Sequence, residues 1–343
     1  MRIAVVFDTP YSGWGPEAHW AEMEKEIGRW KTHEPDMEYQ IGDALRGRGH
    51  EVCLVGVKDD LVAMLASLAA FQPELVINGA ESFRGKASLD YVVAGLLEAE
   101  GYRYTGSPPM AALVTRNKAM SKKILAYHGL KVPGFVTYRA NESVATPPDL
   151  RFPLIVKPLA SDASEGIARA SVVATAEALA ERVEFIHERF GQGAIAEEFI
   201  DGRELYVGML GNGDAVEVLP FTEMVFDKEK NRPEERIATR AAKWDEPYRD
   251  RRGVRNVFAR RMSQEARAEI ERTCRVAYRA LWLRDYARLD VRLAPDGDVW
   301  FLEANANPFI SYGHDMANMA EKTGLDYAAF IQRIVDHAAA RDE

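Results

Sequence analysis

Three side chains toward the end of the sequence are of a type and spacing that could hold a metal ion. The stretch DYARLDVRLAPDGDVWFLEANANPF, residues 285–309, sets Asp290, Glu303 and Asn305 into two runs of alternating residues. Asp-Gly between such runs signals a β-hairpin, and a two-residue turn at Asp296-Gly297 sets the expected register. Counting outward pairs Leu293 with Trp300, Val291 with Leu302 and Leu289 with Ala304 on the core side. On the opposite side Asp290 faces Glu303, and Arg288 faces Asn305. Like charges facing each other destabilise a sheet unless a cation lies between them. Two carboxylates and an amide oxygen are hard ligands of the kind that hold Mg²⁺ together with substrate phosphates. The alternative is a solvated acidic patch, so the reading depends on phosphate-binding groups elsewhere.

The chain offers such groups. VKPLASDASEG places Lys157 near the end of an apolar strand and follows it with a loop of small residues, whose backbone N–H groups could approach phosphate oxygens closely. AEEFIDGRE sets Glu197 and Glu204 on either side of a turn, where they could accept hydrogen bonds from an adenine amino group and ribose hydroxyls. Lys118 lies upstream in a helical segment and Lys243 in a charged loop. Each feature alone is equally an exposed strand end or a pair of solvated acids. Their force lies in their order.

These residues need elements to position them. IAVVF (3–7), HEVCLVGV (50–57) and ELVINGA (74–80) read as strands; helical spacing between 17 and 48 and the apolar run 61–71 alternate with them. This strand-helix alternation predicts a doubly wound parallel sheet. A helix over 89–101, the loop YTGSPP and a helix closed by Gly129 follow. Strands are expected at 152–160 and 194–200, IARASVV resumes a strand after the small-residue loop, and residues 176–190 form an amphipathic helix. From Phe226 to Arg252 periodicity is lost, as in a mobile loop. A helix over 263–282 precedes the hairpin and another, about 326–340, follows it.

The totals describe a globular protein: 343 residues, 47% hydrophobic and 28% charged, enough for two or three domains. A net charge of −9 argues against general nucleic-acid binding. The basic stretch RDRRGVRNVFARR (249–261), interrupted by Asp250, reads better as a solvated loop and helix start. Cys53 and Cys274 form no C-x-x-C pair and are expected reduced and buried. No run approaches a membrane-spanning length, and MRIAVVFDTP is too short for a signal peptide, so a cytoplasmic protein is expected.

Taken in order, YTGSPPMAALVTRNKAMSK, FPLIVKPLASDASEG, AIAEEFIDGRE, TRAAKW and ARLDVRLAPDGDVWFLEANANP resemble the ATP-grasp enzymes, and within them the D-alanine–D-alanine ligases. The resemblance covers about residues 104–325 well and the first hundred in architecture. It implies an α/β, mixed α+β fold: a preATP-grasp domain over 1–114, then ATP-grasp subdomains over 115–196 and 197–343 sandwiching the nucleotide. It implies an ADP-forming ligase that joins a carboxylate to an amine through an acyl phosphate, using ATP and two Mg²⁺, with Mn²⁺ as a substitute. Lys118 and Lys157 would hold the α and β phosphates, Glu197 and the backbone at Ile200 adenine, and Glu204 ribose. Ser164 and Gly166 would lie in the loop covering the phosphates, and Lys243 would reach the γ phosphate as its loop, 226–252, closes. Asp290, Glu303 and Asn305 would hold the metal, and Arg288 would direct its guanidinium at the reacting carboxyl group. The implied partners are small molecules, with neither nucleic acid nor membrane, and relatives of this kind are typically homodimers.

The pattern departs from the family where amino-acid substrates should sit. The opening Gly-rich segment is DTPYSGWGPEAHW, with Glu17 as candidate for the acid that reads the first substrate's ammonium. Asn78 stands for a family histidine, Phe309 for the glycine after proline, His314-Asp315 for Ser-Leu, and Trp244 for the lid tyrosine. An acid at 315 would repel a carboxylate and welcome a cation. The alternative is a helix N-terminal acid beside a surface histidine. Two competing functions remain. Gly13, Gly15 and Ala18 give a G-x-G-x-x-A that a dinucleotide-dependent oxidoreductase could use, although three residues intervene after the strand and the turn is not tight. A nucleotide-binding module without turnover is the other, against which the metal-ligand set and Arg288 speak.

Overall fold

A computed structural model describes residues 1–9, 37–140, 142–161 and 164–341. Glu17 and the Gly13, Gly15, Ala18 motif lie outside the described residues.

The first sheet is parallel, in the order β2 (Glu51–Val57), β1 (Arg2–Asp8), β3 (Leu75–Asn78). An isolated parallel bridge from Val76 to Tyr104 extends its edge. Its strands are apolar nearly throughout because helices cover both faces. α1 (Met37–Arg46) packs on one side; α2 (Leu61–Phe71), capped by Asp60, and α3 (Tyr91–Ala99) contribute to the core of the other.

The chain then runs through two helices where the sequence suggests one. α4 (Pro109–Arg116) stops at Asn117, whose side chain accepts from the Met120 N–H and so caps α5 (Lys118–Tyr127). Asn117 therefore fixes Lys118 in the first turn of a new helix.

A four-stranded antiparallel sheet follows in the order β4 (Phe135–Tyr138), β7 (Ala194–Glu198), β5 (Leu154–Pro158), β6 (Val172–Val173), backed by α6 (Ala176–Phe190). The segment expected to resume as a strand at Ile167 first makes a 3₁₀ turn over Arg169–Ser171, leaving only two strand residues.

The largest sheet is antiparallel, in the order β11 (Arg255–Phe258), β10 (Thr222–Val225), β8 (Arg203–Leu210), β12 (Tyr286–Leu293), β13 (Val299–Asn305), with β9 (Glu217–Val218) beside β8. α9 (Gln264–Ala280) buries Ile270, Cys274 and Ala277 against one face, among Leu205, Val207, Leu289, Val291 and Phe301. The other face carries the hairpin's acids. α10 (Asp315–Glu321) lies over its far part, so close that a Cβ at Gly208 would come within 2.8 Å of the Met319 sulfur. α11 (Tyr327–Ala339) joins this part to the first sheet by packing on α1.

The segment 226–252 is more ordered than its lost periodicity suggests. It holds α7 (Arg240–Trp244), capped by Thr239, and α8 (Glu246–Arg252), capped by Asp245. Helices this short carry too few turns to print a pattern, and their caps are the legible signal. Its arginines bind locally: Arg249 donates to the Ala242 carbonyl at 2.7 Å and Arg252 to that of Lys230 at 2.7 Å.

Candidate active site

The hairpin brings the expected side chains together by a different path from the one counted on the sequence. Asp290 pairs with Glu303, Leu289 with Ala304 and Arg288 with Asn305, as the alternation requires. Nearer the turn, however, Val291 faces Phe301 and Leu293 faces Val299. The turn has three loop residues: Ala294 donates to the Asp298 carbonyl at 2.9 Å, Gly297 donates to that of Ala294 at 3.0 Å, and Gly297 takes a φ of +94°. That shifts the register by one residue, and a bulge at Leu302 shifts it back. Leu302 consequently lines the cleft and does not pair in the core with Val291. Its carbonyl, freed from the ladder, accepts from Lys122.

The cleft lies between the two antiparallel sheets and encloses about 570 Å³ of empty space, part of it open, within the range of small-molecule sites. Lys157, Glu197 and Ile155 line it from one sheet; Glu204, Asp290, Arg292 and Glu303 from the other. Ile200 and Phe199 lie at the connection between them, and Ile237, Ala238 and Lys243 come from the charged segment.

Lys157 donates to Glu197 Oε2 at 2.9 Å, and Lys122 lies 3.2 Å from Glu197 Oε1. All three side chains are buried. Burial alone would push the Glu197 carboxyl up, but the two ammonium groups outweigh it and hold it below the usual range. Burial lowers Lys122, fully enclosed, despite the same partner. Lys157 goes the other way: burial opposes its charge, but Glu197 together with Glu303 and Glu204 raises it. Glu197 thus spends its carboxylate on two lysines. Lys122 carries no motif signal beyond SK at the start of a helix, and only its burial reveals it.

Lys118 is buried and donates to the Ser161 carbonyl at the entrance of the small-residue loop. In that loop Ser164 lines the cleft with a φ of +60°, a region a serine adopts only at a cost. Gly166 has φ +69°, and a Cβ there would meet Pro158 at 2.6 Å and the Phe190 ring at 3.0 Å. The charged segment rests against this loop: Arg240 N–H donates to the Ile167 carbonyl at 3.3 Å and Arg169 pairs with Glu235. Lys243 brings its ammonium to 5.9 Å from the Tyr206 ring centre, while Trp244 is exposed.

Glu204 is held by Arg292, which also donates to the Ile200 carbonyl at 2.8 Å. Among the carboxylates, Asp290 is 2% exposed and is pushed up, first by burial and then by Glu303, against the pull of Arg288. Glu303 also pays for burial, yet Lys118, Lys243, Lys157 and Arg288 together hold it far below the ordinary carboxylate range. Asn305 Nδ2 is buried without a partner. Among the described residues no three His, Cys, Asp or Glu side chains converge to hold an ion unaided. Two carboxylates and an amide, ringed by lysines, instead suit an ion whose remaining ligands are water and phosphate.

Arg288 is engaged by its own strand. Its Nε and Nη2 donate to both oxygens of Asp290 at 2.8 and 3.1 Å, and its Nη1 lies 3.9 Å from Asp315. Asp315 thus shares Arg288 with Asp290. Asn78 is 1% exposed and turned inward: its Oδ1 accepts from Ala80 N–H at 3.4 Å, closing the end of β3. Phe309 packs edge-on against His314, ring centres 4.7 Å apart. These residues do not line the nucleotide-sized cleft.

Residues 123–336 match the sequence family described as D-ala D-ala ligase C-terminus. A D-alanine–D-alanine ligase of Bordetella petrii is 32% identical over 304 residues, spanning 88% of this chain and 86% of its own. An uncharacterized protein, y4sG, of Sinorhizobium fredii is 32% identical over 360 aligned positions, covering 99% and 98%. Among solved structures, the D-alanine–D-alanine ligase of Bacillus anthracis complexed with ATP superposes with a TM-score of 0.71 at 19% identity, covering 98% of this chain and 97% of that one. The VanG D-Ala:D-Ser ligase of Enterococcus faecalis gives 0.70 at 19% identity, covering 98% and 99%. Those two likenesses speak to the fold, and the sequence matches speak to descent: the chain belongs to the D-alanine–D-alanine ligase family, built on the ATP-grasp fold.

Proposed function

We propose that the protein is an ATP-dependent ligase that joins a carboxylate to an amine, releasing ADP and phosphate through an acyl-phosphate intermediate. The observation that carries this reading is the facing pair Asp290 and Glu303 on a cleft floor, with Lys157 and Lys243 beside it. An isolated pair of buried acids is costly, whereas the same pair under a polyphosphate and its counter-ions is favourable.

Asp290, Glu303 and Asn305 are the residues that would hold Mg²⁺. Bound there, the two ions would neutralise charge on the β and γ phosphates. Lys157 and Lys118 hold the α and β phosphates, and Glu197, with Lys122 on its far oxygen, fixes where the Lys157 ammonium stands. Adenine takes the backbone about Ile200, with the Glu197 edge beside it, and Glu204, steered by Arg292, takes the ribose. Ser164 and Gly166 bring the loop over the phosphates, and Lys243 adds charge at the γ position when the segment 226–252 closes. Phosphoryl transfer needs positioning and cations more than covalent help.

Once the acyl phosphate exists, the amine attacks it and negative charge gathers on the former carbonyl oxygen. Arg288 is the donor for that oxygen. Two of its five N–H donors hold Asp290, and those on Nη1 remain for that oxygen. The closed lid keeps water from hydrolysing the intermediate.

The organisation belongs to the same proposal: a parallel-sheet unit to about residue 114, a four-stranded unit ending with β7, and the remainder carrying metal and lid. We place the enzyme in the cytoplasm, acting on small molecules and paired with a second copy. The test is an ADP-release screen over paired carboxylates and amines with mass spectrometry of the products. A condensed product with stoichiometric ADP is expected; nucleotide hydrolysis with no condensed product from any pair would contradict the ligase assignment.

A further inference from the structure

The catalytic face of the large sheet does not stop at the cleft. Phe258 pairs with Thr222, Thr222 with Tyr206, Tyr206 with Asp290 and Asp290 with Glu303, so five side chains form one row across β11, β10, β8, β12 and β13. At the ordinary strand spacing Thr222 lies about 10 Å from Asp290. Tyr206 stands between them, with Arg288 stacked 5.2 Å from its ring centre.

Beyond Tyr206 the row opens into a second, shallower groove between β10–β11 and α10, with about 670 Å³ of empty space, much of it open to solvent. Thr222, Asn256 and Phe258 form its strand wall. Its helix wall is Asp315, Asn318 and Glu321, a one-face stripe at threefold spacing. Asp315 belongs both to this wall and, at 3.9 Å from Arg288, to the reacting centre. Two features indicate that the groove is made for a ligand. Thr222 is 5% exposed, yet its hydroxyl has no partner. A buried hydroxyl left unmatched is costly, and a guest donor would satisfy it. The second is charge: Asp315 and Glu321 line the groove with one base, Lys322, whose ammonium sits 5.4 Å from the Phe258 ring centre. The acids are separated along the helix by about 9 Å.

We propose that this groove seats the body of the acceptor amine, and that the acceptor is a diamine or polyamine. Its attacking nitrogen lies at the Arg288–Asp315 end, its chain passes the Phe258 ring, and its distal ammonium donates to Glu321 and to the Thr222 hydroxyl. This rests on the ligase reading and extends it from "an amine" to a substrate class. A simple α-amino acid does not reach Glu321, and its carboxylate would meet Asp315.

The test titrates cadaverine, and pentylamine as the control lacking the distal charge, into the protein with Mg²⁺ and a non-hydrolysable ATP analogue by calorimetry. Cadaverine should bind more tightly than pentylamine. Glu321→Gln should weaken cadaverine about fivefold, the upper range for an exposed ion pair, without affecting pentylamine. Asn256→Trp, which puts an indole into the groove from an exposed strand position, should weaken both while the analogue's affinity and the melting temperature stay unchanged. No cadaverine binding, equal binding of the two amines, or wild-type affinity in both variants would overturn the proposal. An ADP-release assay alongside separates the two readings. Condensation of other amines while cadaverine neither binds nor competes removes the groove proposal and leaves the ligase; cadaverine binding with no condensation of any pair removes the ligase reading and the acceptor role with it.

Discussion

Arg288 grips both oxygens of Asp290 from two residues away on the same strand, at 2.8 and 3.1 Å. Residues i and i+2 of a strand share a face, so the contact is local and forms as soon as β12 does. A cation therefore already occupies the acid's oxygens, and on the proposed reading a metal ion there would share Asp290 with it. Arg288→Ala should leave nucleotide affinity nearly intact while reducing condensation on the order of a hundredfold or more, the usual cost of losing an oxyanion donor. Nucleotide titration beside product formation reads both. Weakened nucleotide binding with turnover preserved would reassign Arg288 to binding.

The facing carboxylates predict a strong stabilisation by metal and nucleotide together. At a hundredfold excess over Kd, a ligand selective for the folded state adds about 2.7 kcal/mol. A thermal melt should rise by several degrees with Mg²⁺-ATP, and far less with ATP and a chelator. Asp290→Asn with Glu303→Gln should abolish the difference.

Lys122, Glu197 and Lys157 form a buried chain of charges in which each removal strands a neighbour. Lys122→Met should cost about 3–5 kcal/mol in urea unfolding, the range for breaking a buried pair. Adding Glu197→Gln should then cost less than it does in the wild type, because only Lys157 is left to lose its partner.

The same chain sets an acid limb. Glu197 has its pKa depressed in the folded state, so its stabilisation is complete above the unfolded carboxylate value and fades as pH falls through the lower, folded one. Glu197→Gln should be less stable near neutrality and lose less on acidification. An unchanged slope of stability against pH would contradict the pairing.

Gly166→Ala tests the small-residue loop. The left-handed φ of +69° and the 2.6 Å approach to Pro158 leave no place for a methyl group. The loop should shift, raising KM for ATP, while the hairpin site still binds the metal.

Much of this site is written in local pattern. Asp290, Glu303, Asn305 and Arg288 share a face because strand side chains alternate, and the helices over 61–71 and 176–190 follow from apolar spacing and polar ends. The hairpin shows the limit. Asp-Gly suits both two-residue and three-residue turns, and Leu302, a bulge residue with neither glycine nor proline nearby, leaves no mark. One residue gained at the turn and one at the bulge cancel, so the pairing of the acids was legible although its route was not. Lys122 was hidden for a different reason: its burial depends on Glu197 from a distant strand. The two helices within 226–252 are too short to show periodicity, and the row from Glu303 to Phe258 exists only once five strands have paired.

The most direct measurement titrates Mn²⁺, as a paramagnetic stand-in for Mg²⁺, into the protein with ADP and follows free ion by electron paramagnetic resonance. The account predicts nucleotide-dependent binding of up to two ions in the wild type, lost in Glu303→Gln and Asp290→Asn although both variants stay folded. Binding that survives both substitutions unchanged would place the metal elsewhere and contradict the assignment of the hairpin.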